Sequence, residues 1–182
     1  MIKKEKYFYL NSIQDLDLDY IKKTNANLIL RDQTKFTYNQ CHSFILACKN
    51  KRIKVYIANN LKLMFKLRLN NFYVSSKNKK NYLNLRQINK KINIIGGAHN
   101  INEIMQKRMQ GCNKIILSRL FNTNKNGFYG VVKFNKITLN KKLKYIALGG
   151  INEANYKKLC MVNCEGIAML SSPLKRPSFL RA

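Results

Sequence analysis

Short, nearly unbroken apolar segments rich in β-branched and aromatic residues recur along the chain: KYFYLN at 6–11, NLILRD at 27–32, KVYIANN at 54–60, NFYVSS at 71–76, INIIGGA at 92–98, KIILSRLF at 114–121, KYIALGG at 144–150 and GIAMLSS at 166–172. Runs that are apolar on both faces mark buried parallel strands rather than half-solvated antiparallel ones. Between them lie segments of helical character: IQDLDLDYIKK, YNQCHSFILACKN, LKLMFKLRL, NYLNLRQINKK, INEIMQKRMQ and INEANYKKLCMVN. Alternation of this kind predicts parallel βαβ units, and eight strands are the number that closes a (β/α)8 barrel. The fold class expected is therefore α/β, a compact (β/α)8 TIM barrel forming one domain over residues 1–182.

Local signals refine this outline. Asp15, Asp17 and Asp19 fall in the first turn of the first helix, where negative charge favours the dipole, and Lys22 and Lys23 close it. These carboxylates read as capping rather than catalysis. The sixth connection, NTNKNGFYGVVKFNKITLN, holds two glycines and little helical period, so it is expected to be a long loop over the site. The tail after Ser172 has room for a short final helix at most.

With 182 residues the barrel must be pared down, since such folds typically run to about 250. The 35 basic residues against 8 acidic ones, a formal charge of +27, suggest a polyanion as partner. Against nucleic acid, the charge is mostly Lys spread evenly with Asn and Ile, and no basic stripe or aromatic-basic platform stands out. The five cysteines, Cys41, Cys48, Cys112, Cys160 and Cys164, are odd in number and contain no CxxC, so they read as reduced thiols. Cys160 and Cys164 are four apart on a predicted helix. With no matching His or Cys pair, core packing is preferred to metal ligation. The opening MIKKEKYFYL lacks the apolar run and cleavage site of a signal peptide, and no stretch approaches the ~18 apolar residues of a membrane span. A cytoplasmic protein with no membrane partner is expected.

In a barrel of this kind the site forms at the carboxyl ends of the strands, and phosphate commonly sits on the loops after strands 7 and 8. Gly149 and Gly150 end strand 7 and lead into a helix start at Ile151, Asn152 and Glu153, where bare backbone and a helix dipole suit an anion. A glycine pair at such a turn is usually structural; it gains meaning from Ser171 and Ser172, which end strand 8 with hydroxyl and amide donors. Strand 6 runs out through Ser118, Arg119, Asn122, Thr123, Asn124 and Lys125, a mixture able to clamp a phosphate. Arg31 ends strand 2, where it either pairs near Asp32 or, the favoured reading, binds substrate anions. Asn59 and Asn60 end strand 3 as neutral donors and acceptors, suited to a heterocycle and poor at holding Mg²⁺. His99 follows strand 5, either as a general acid/base or as a turn residue at the start of the next helix. His42, mid-helix, reads as a packed or surface residue.

Taken in order, these segments resemble the thiamine phosphate synthase and TenI family over nearly the whole chain. IALGGINEAN and EGIAMLSS look like its AIGGI and GVAVIS phosphate segments, IIGGAHNINEI like IGxSxHxxxE, and GCNKIILSRLFNTNK like GADYxxxGPxFxTxxK. LILRD and VYIANN are similar to its QLRxK and IINDR strands. The resemblance implies that Gly149, Gly150, Leu170 and Ser171 hold the phosphate of a thiazole phosphate, with Thr123 and Lys125 nearby. It also implies that Arg31 and Asn59 face a pyrophosphate or heterocycle. In the synthase, which joins hydroxymethylpyrimidine pyrophosphate to thiazole phosphate, two carboxylates after strands 3 and 4 carry Mg²⁺. Here Asn60 stands at the first position and Asn78 or a neighbour at the second, and no Asp or Glu occurs between Asp32 and Glu103. The strand-5 Ser appears as Gly97 or Ala98 and the strand-2 Lys as Gln33. TenI-like members, thiazole tautomerases that need no metal and use the strand-5 histidine, therefore fit better. The expected reading is a TenI-like enzyme with no cofactor, Mg²⁺ entering only if it is a synthase. The synthase and a non-catalytic phosphate-ligand binder are the alternatives. The expected partner is a small phosphate substrate, with nucleic acid disfavoured and homo-oligomer formation open.

Overall fold

A computed structural model of the chain describes residues 4–14, 16–31, 33–124, 127–139 and 142–170. Its eight parallel strands are β1 (Glu5–Leu10), β2 (Ala26–Leu30), β3 (Val55–Ala58), β4 (Asn71–Val74), β5 (Asn93–Ala98), β6 (Lys114–Ser118), β7 (Lys144–Leu148) and β8 (Gly166–Met169). They close in sequence order, β1 pairing with β8 through Glu5 opposite Gly166. Gly166 is required by close approach, since an added Cβ would lie 2.8 Å from the Glu5 carbonyl oxygen. Lys4 fastens the same seam, its Nζ donating to the carbonyls of Val162 and Cys164 at 3.1 and 2.6 Å.

The outer layer is α1 (Leu18–Thr24), α2 (Tyr38–Asn50), α3 (Leu61–Lys66), α4 (Leu85–Ile88), α5 (Ile101–Met109), α6 (Gly130–Ile137) and α7 (Glu153–Tyr156). The helices are short, which is how 182 residues complete the barrel. Asp17 caps α1 by accepting from the amides of Asp19 and Tyr20, as expected of a carboxylate there. Asp15 and Asp32 lie outside the described residues. Three expectations change. The sixth connection contains α6, anchored by fully buried Phe134 with Val131 and Ile137 packed beside it. The predicted helix over 151–163 is one α-turn continued by a 3-10 turn, Lys157–Met161. Cys160 is consequently exposed and does not share a helical face with Cys164, whose Sγ accepts from Lys4 Nζ at 3.4 Å. Cys41, Cys48 and Cys112 are buried. His42 is exposed on α2 and stacks on Tyr38.

Two cores result. One fills the space between sheet and helices; the other lies inside the barrel and comprises Tyr7, Tyr9, Ile29, Tyr56, Ala58, Tyr73, Ile95, Ile116, Ile146 and Ala168, with Leu148 against it. Because neighbouring strands are staggered, inward residues of alternate strands share layers. Ile29, Tyr73, Ile116 and Ala168 form the layer of the even strands. Tyr9, Ala58, Gly97 and Leu148 form the one above it on the odd strands and line the cavity at the barrel mouth. Among the described residues, no helix is long and apolar enough to cross a membrane.

Candidate functional site

Ala58 and Gly97 in that upper layer leave the carboxyl end of the barrel open as a cavity of about 890 Å³. Nearly all of the sequence-derived candidates that fall within the described residues lie on its wall: Arg31, Asn59, His99, Thr123, Gly149, Gly150 and Leu170. Lys125, Ser171 and Ser172 lie outside the described residues. Asn60 is the exception. It does not line the cavity, and its side chain accepts from the Leu63 amide at 3.0 Å as the N-cap of α3, an orientation set by the chain turning from β3 into that helix.

The glycine turn is built for close backbone approach. Gly149 and Gly150 have φ of 103° and 68°, conformations that L side chains rarely adopt. A Cβ on Gly149 would stand 2.9 Å from the Arg119 side chain, and one on Gly150 would stand 2.7 Å from the Phe121 carbonyl. The turn is stitched to the β6 loop by Leu120 N–H donating to Leu148 O (2.9 Å) and Phe121 N–H donating to Gly149 O (3.0 Å). Asn152 caps the following turn, and Asn155 Nδ2 returns to Gly150 O at 2.7 Å. A helix does start there, at Glu153 behind the Asn152 cap, but it is a single turn, so any anion would be held by loop donors more than by a macrodipole.

Opposite, His99 sits just past β5. Glu103 accepts from its amide at 2.8 Å and Tyr129 Oη donates to its carbonyl, while its Nδ1 is 2.8 Å from the Oγ of buried Ser118. Asn100, not His99, caps α5. The imidazole is thus fixed by one nitrogen and lines the cavity, a geometry suited to proton transfer.

On the β2–β4 side, Arg31 lies over the Tyr9 ring, 5.4 Å from its centroid. Gln33 is turned away from a ligand, its Nε2 donating to the carbonyls of Leu30 and Ala58, both at 2.9 Å. Asn59 holds the end of β4, accepting from Ser75 N–H and from Asn78 Nδ2 and donating to Ser75 Oγ, all at 3.0 Å. Asn78 Oδ1 accepts from Lys80 N–H at 2.9 Å. Mg²⁺ takes carboxylate and water oxygens in near-octahedral geometry. At these strand ends the amide oxygens of Asn60 and Asn78 are engaged by backbone N–H groups, and the described cavity lining contains no Asp or Glu. The described residues do not fit that metal, and among them no group of three or more His, Cys, Asp or Glu could hold one.

The cations of the described lining are Arg31, Lys77 and Arg119. Lys77, and the tyrosines Tyr9 and Tyr73 on the cavity floor, were not legible as site residues: Lys77 falls in an even spread of lysines, and the tyrosines sit inside strand runs. Their signal was strand parity, since position 9 shares the inward face with 7, and 73 follows once β4 is registered against β5.

A family model described as thiamine monophosphate synthase matches residues 18–172. The thiamine-phosphate synthase of Prochlorococcus marinus is 34% identical over 83 residues, 43% of this chain and 24% of that protein. The chain therefore aligns with only about a quarter of that curated relative's length. Among solved structures, a thiamine phosphate pyrophosphorylase from Pyrococcus furiosus superposes with a TM-score of 0.75 at 14% identity, over 95% of this chain and 88% of its own. One from Bacteroides thetaiotaomicron gives 0.67 at 15% identity, over 94% and 85%. At such identities the likeness concerns the fold.

Proposed function

Because the chain belongs to the thiamine monophosphate synthase and TenI family, we propose that it binds a thiazole phosphate and moves a proton on the ring without a metal, as a tautomerase. The observation that carries this reading is a cavity that combines His99 with a glycine turn and three cations while its described lining offers Mg²⁺ no carboxylate. In this reading the phosphate rests on the backbone of Gly149 and Gly150 and on the Leu170 amide, with Thr123 beside it. Lys125 and Ser171 are assigned to the same group by sequence alone. Anchoring the phosphate holds the ring near the imidazole, which converts proton transfer into an effectively intramolecular step. His99 takes a proton from one ring position and returns it to another, so the isomer leaves with the same atoms and the imidazole ends as it began.

The name of the Prochlorococcus marinus relative favours a second reading, synthase activity. Here that reaction would require Arg31 and Lys77 to offset the charge of a leaving pyrophosphate. One assay separates the two. Purified protein is supplied with the pyrimidine pyrophosphate and thiazole phosphate, with Mg²⁺ or chelator, and separately with the unaromatised thiazole phosphate. Chelator-insensitive aromatisation, lost in His99→Ala, is expected; Mg²⁺-dependent thiamine phosphate would overturn the tautomerase in favour of the synthase. Phosphate binding without either product would mark a non-catalytic binder.

A further inference from the structure

The floor of the cavity carries a hydroxyl pair that the proposed proton transfer does not use. Tyr9 on β1 and Tyr73 on β4 meet inside the barrel, rings edge to face with centroids 5.5 Å apart, and Tyr9 Oη donates to Tyr73 Oη at 2.9 Å. Both are buried, at 5% and 7% exposure. Since Tyr73 accepts from Tyr9, its own hydrogen must point elsewhere, and among the described hydrogen bonds Tyr73 donates none. The open direction is set by Gly97. An added Cβ there would run into the Tyr73 hydroxyl, and Gly97 itself lines the cavity. A residue with a side chain at that position would cover the hydroxyl; glycine leaves it open to a ligand.

We propose that Tyr73, oriented by Tyr9, is a specificity-determining residue that donates a hydrogen bond to a lone-pair acceptor, a ring nitrogen or oxygen, at the end of the ligand remote from its phosphate. The inference rests on the reading above that a heterocyclic phosphate monoester fills this cavity. The levels agree with it. Tyr73 lies one layer beneath Leu148, and Leu148 directly precedes Gly149, so a ligand anchored at the glycine turn extends down over Ala58 and Leu148 toward the hydroxyl. Accepting a hydrogen bond from Tyr9 makes the Tyr73 O–H a better donor, and the Arg31 guanidinium over Tyr9 strengthens the first link of that chain. Burial pushes both phenols above their ordinary range, so the pair stays protonated and reads a lone pair instead of abstracting a proton. Apolar Ile116, Leu148 and Ala168 line the same cavity, and a ring lacking an acceptor leaves the donor unmet.

The test is calorimetric and uses three probes: inorganic phosphate, the methyl-hydroxyethyl-thiazole phosphate with its ring nitrogen, and the thiophene isostere in which carbon replaces that nitrogen. Wild-type protein is expected to bind the thiazole about tenfold more tightly than the thiophene. Tyr73→Phe should erase that preference while leaving affinity for inorganic phosphate unchanged, and Tyr9→Phe should reduce it in part. Equal binding of the two rings by wild-type protein, or a preference that survives Tyr73→Phe, overturns the assignment while leaving the proposed function standing. If wild-type protein binds neither ring, the proposed function falls and this inference falls with it. The wild-type comparison requires no variant to fold.

Discussion

The Oγ of Ser118, the last residue of β6, lies 2.8 Å from Nδ1 of His99 just beyond β5, so two neighbouring strands join through their functional side chains. With one ring nitrogen engaged, the other is the one able to exchange a proton with a ligand. Replacing His99 by Ala is expected to lower kcat for thiazole aromatisation by roughly 10²–10⁴, the range that general acid/base groups contribute. Ser118→Ala removes only the orienting bond and should lower kcat by about tenfold with KM nearly unchanged. A Ser118→Ala enzyme with wild-type kcat would show that the pair is incidental.

The glycine turn gives a second expectation. Gly150→Ala must place a methyl group against the Phe121 carbonyl at a φ of 68°, and should cost about 1–3 kcal/mol in urea unfolding. Gly149→Ala meets Arg119 at its Cα, Cβ and Cγ, the base of the side chain and not its flexible end, at a φ of 103°, and should cost a similar amount. Both should weaken inorganic phosphate binding, and retention of full affinity in both would remove the turn from the site.

At the opposite end of the barrel, Glu5 sets an acid sensitivity. Burial raises its pKa, but the Lys114 ammonium at 2.6 Å and the Tyr7 hydroxyl outweigh that and hold it below the usual carboxylate value. A carboxylate whose pKa is lower in the folded protein stabilises it above the unfolded value and loses that contribution as pH falls through the folded one. Stability measured from pH 6 down to 3 should therefore fall more steeply in the wild type than in Glu5→Gln. Parallel curves would contradict the assignment.

Burial also divides the cysteines. The thiols of Cys48 and Cys112 are both pushed up to about 12 by burial, whereas Cys160 is exposed. Maleimide at pH 7.5 should label Cys160 rapidly in the native state and reach Cys48 and Cys112 only in denaturant, because the thiolate is the reacting form. Mapping by mass spectrometry checks this; rapid native labelling of Cys48 or Cys112 would refute it.

The barrel was legible because parallel strands covered on both faces leave unbroken apolar runs, and nothing else in the chain has that texture. Strand ends were less so. Asn60 continues the run VYIANN in sequence, yet the chain has already turned at Asn59, which has a φ of 58°, so Asn60 becomes a cap instead of a wall. Helix α6 is masked in the sequence by Gly127 and Gly130, which read as loop, while Val131, Phe134 and Thr138, at the spacing of a buried helical stripe, carry the opposite message. In the site, residues that follow a strand by one position could be placed from sequence. The tyrosine pair could not, because its meaning depends on the stacking of adjacent layers that bring together residues 64 positions apart.

The seam between β1 and β8 carries a temporal consequence. Glu5 and Gly166 come into register only when almost the entire barrel has been synthesised, and Lys4 likewise waits for Val162 and Cys164. Until then β1 has β2 on one side and an unpaired backbone edge on the other, the kind of edge that recruits foreign strands. At ribosomal speeds of about 5–20 residues per second, that interval lasts roughly ten to thirty seconds. Through that interval the excess of basic residues is the protection the composition supplies, since like-charged chains repel one another.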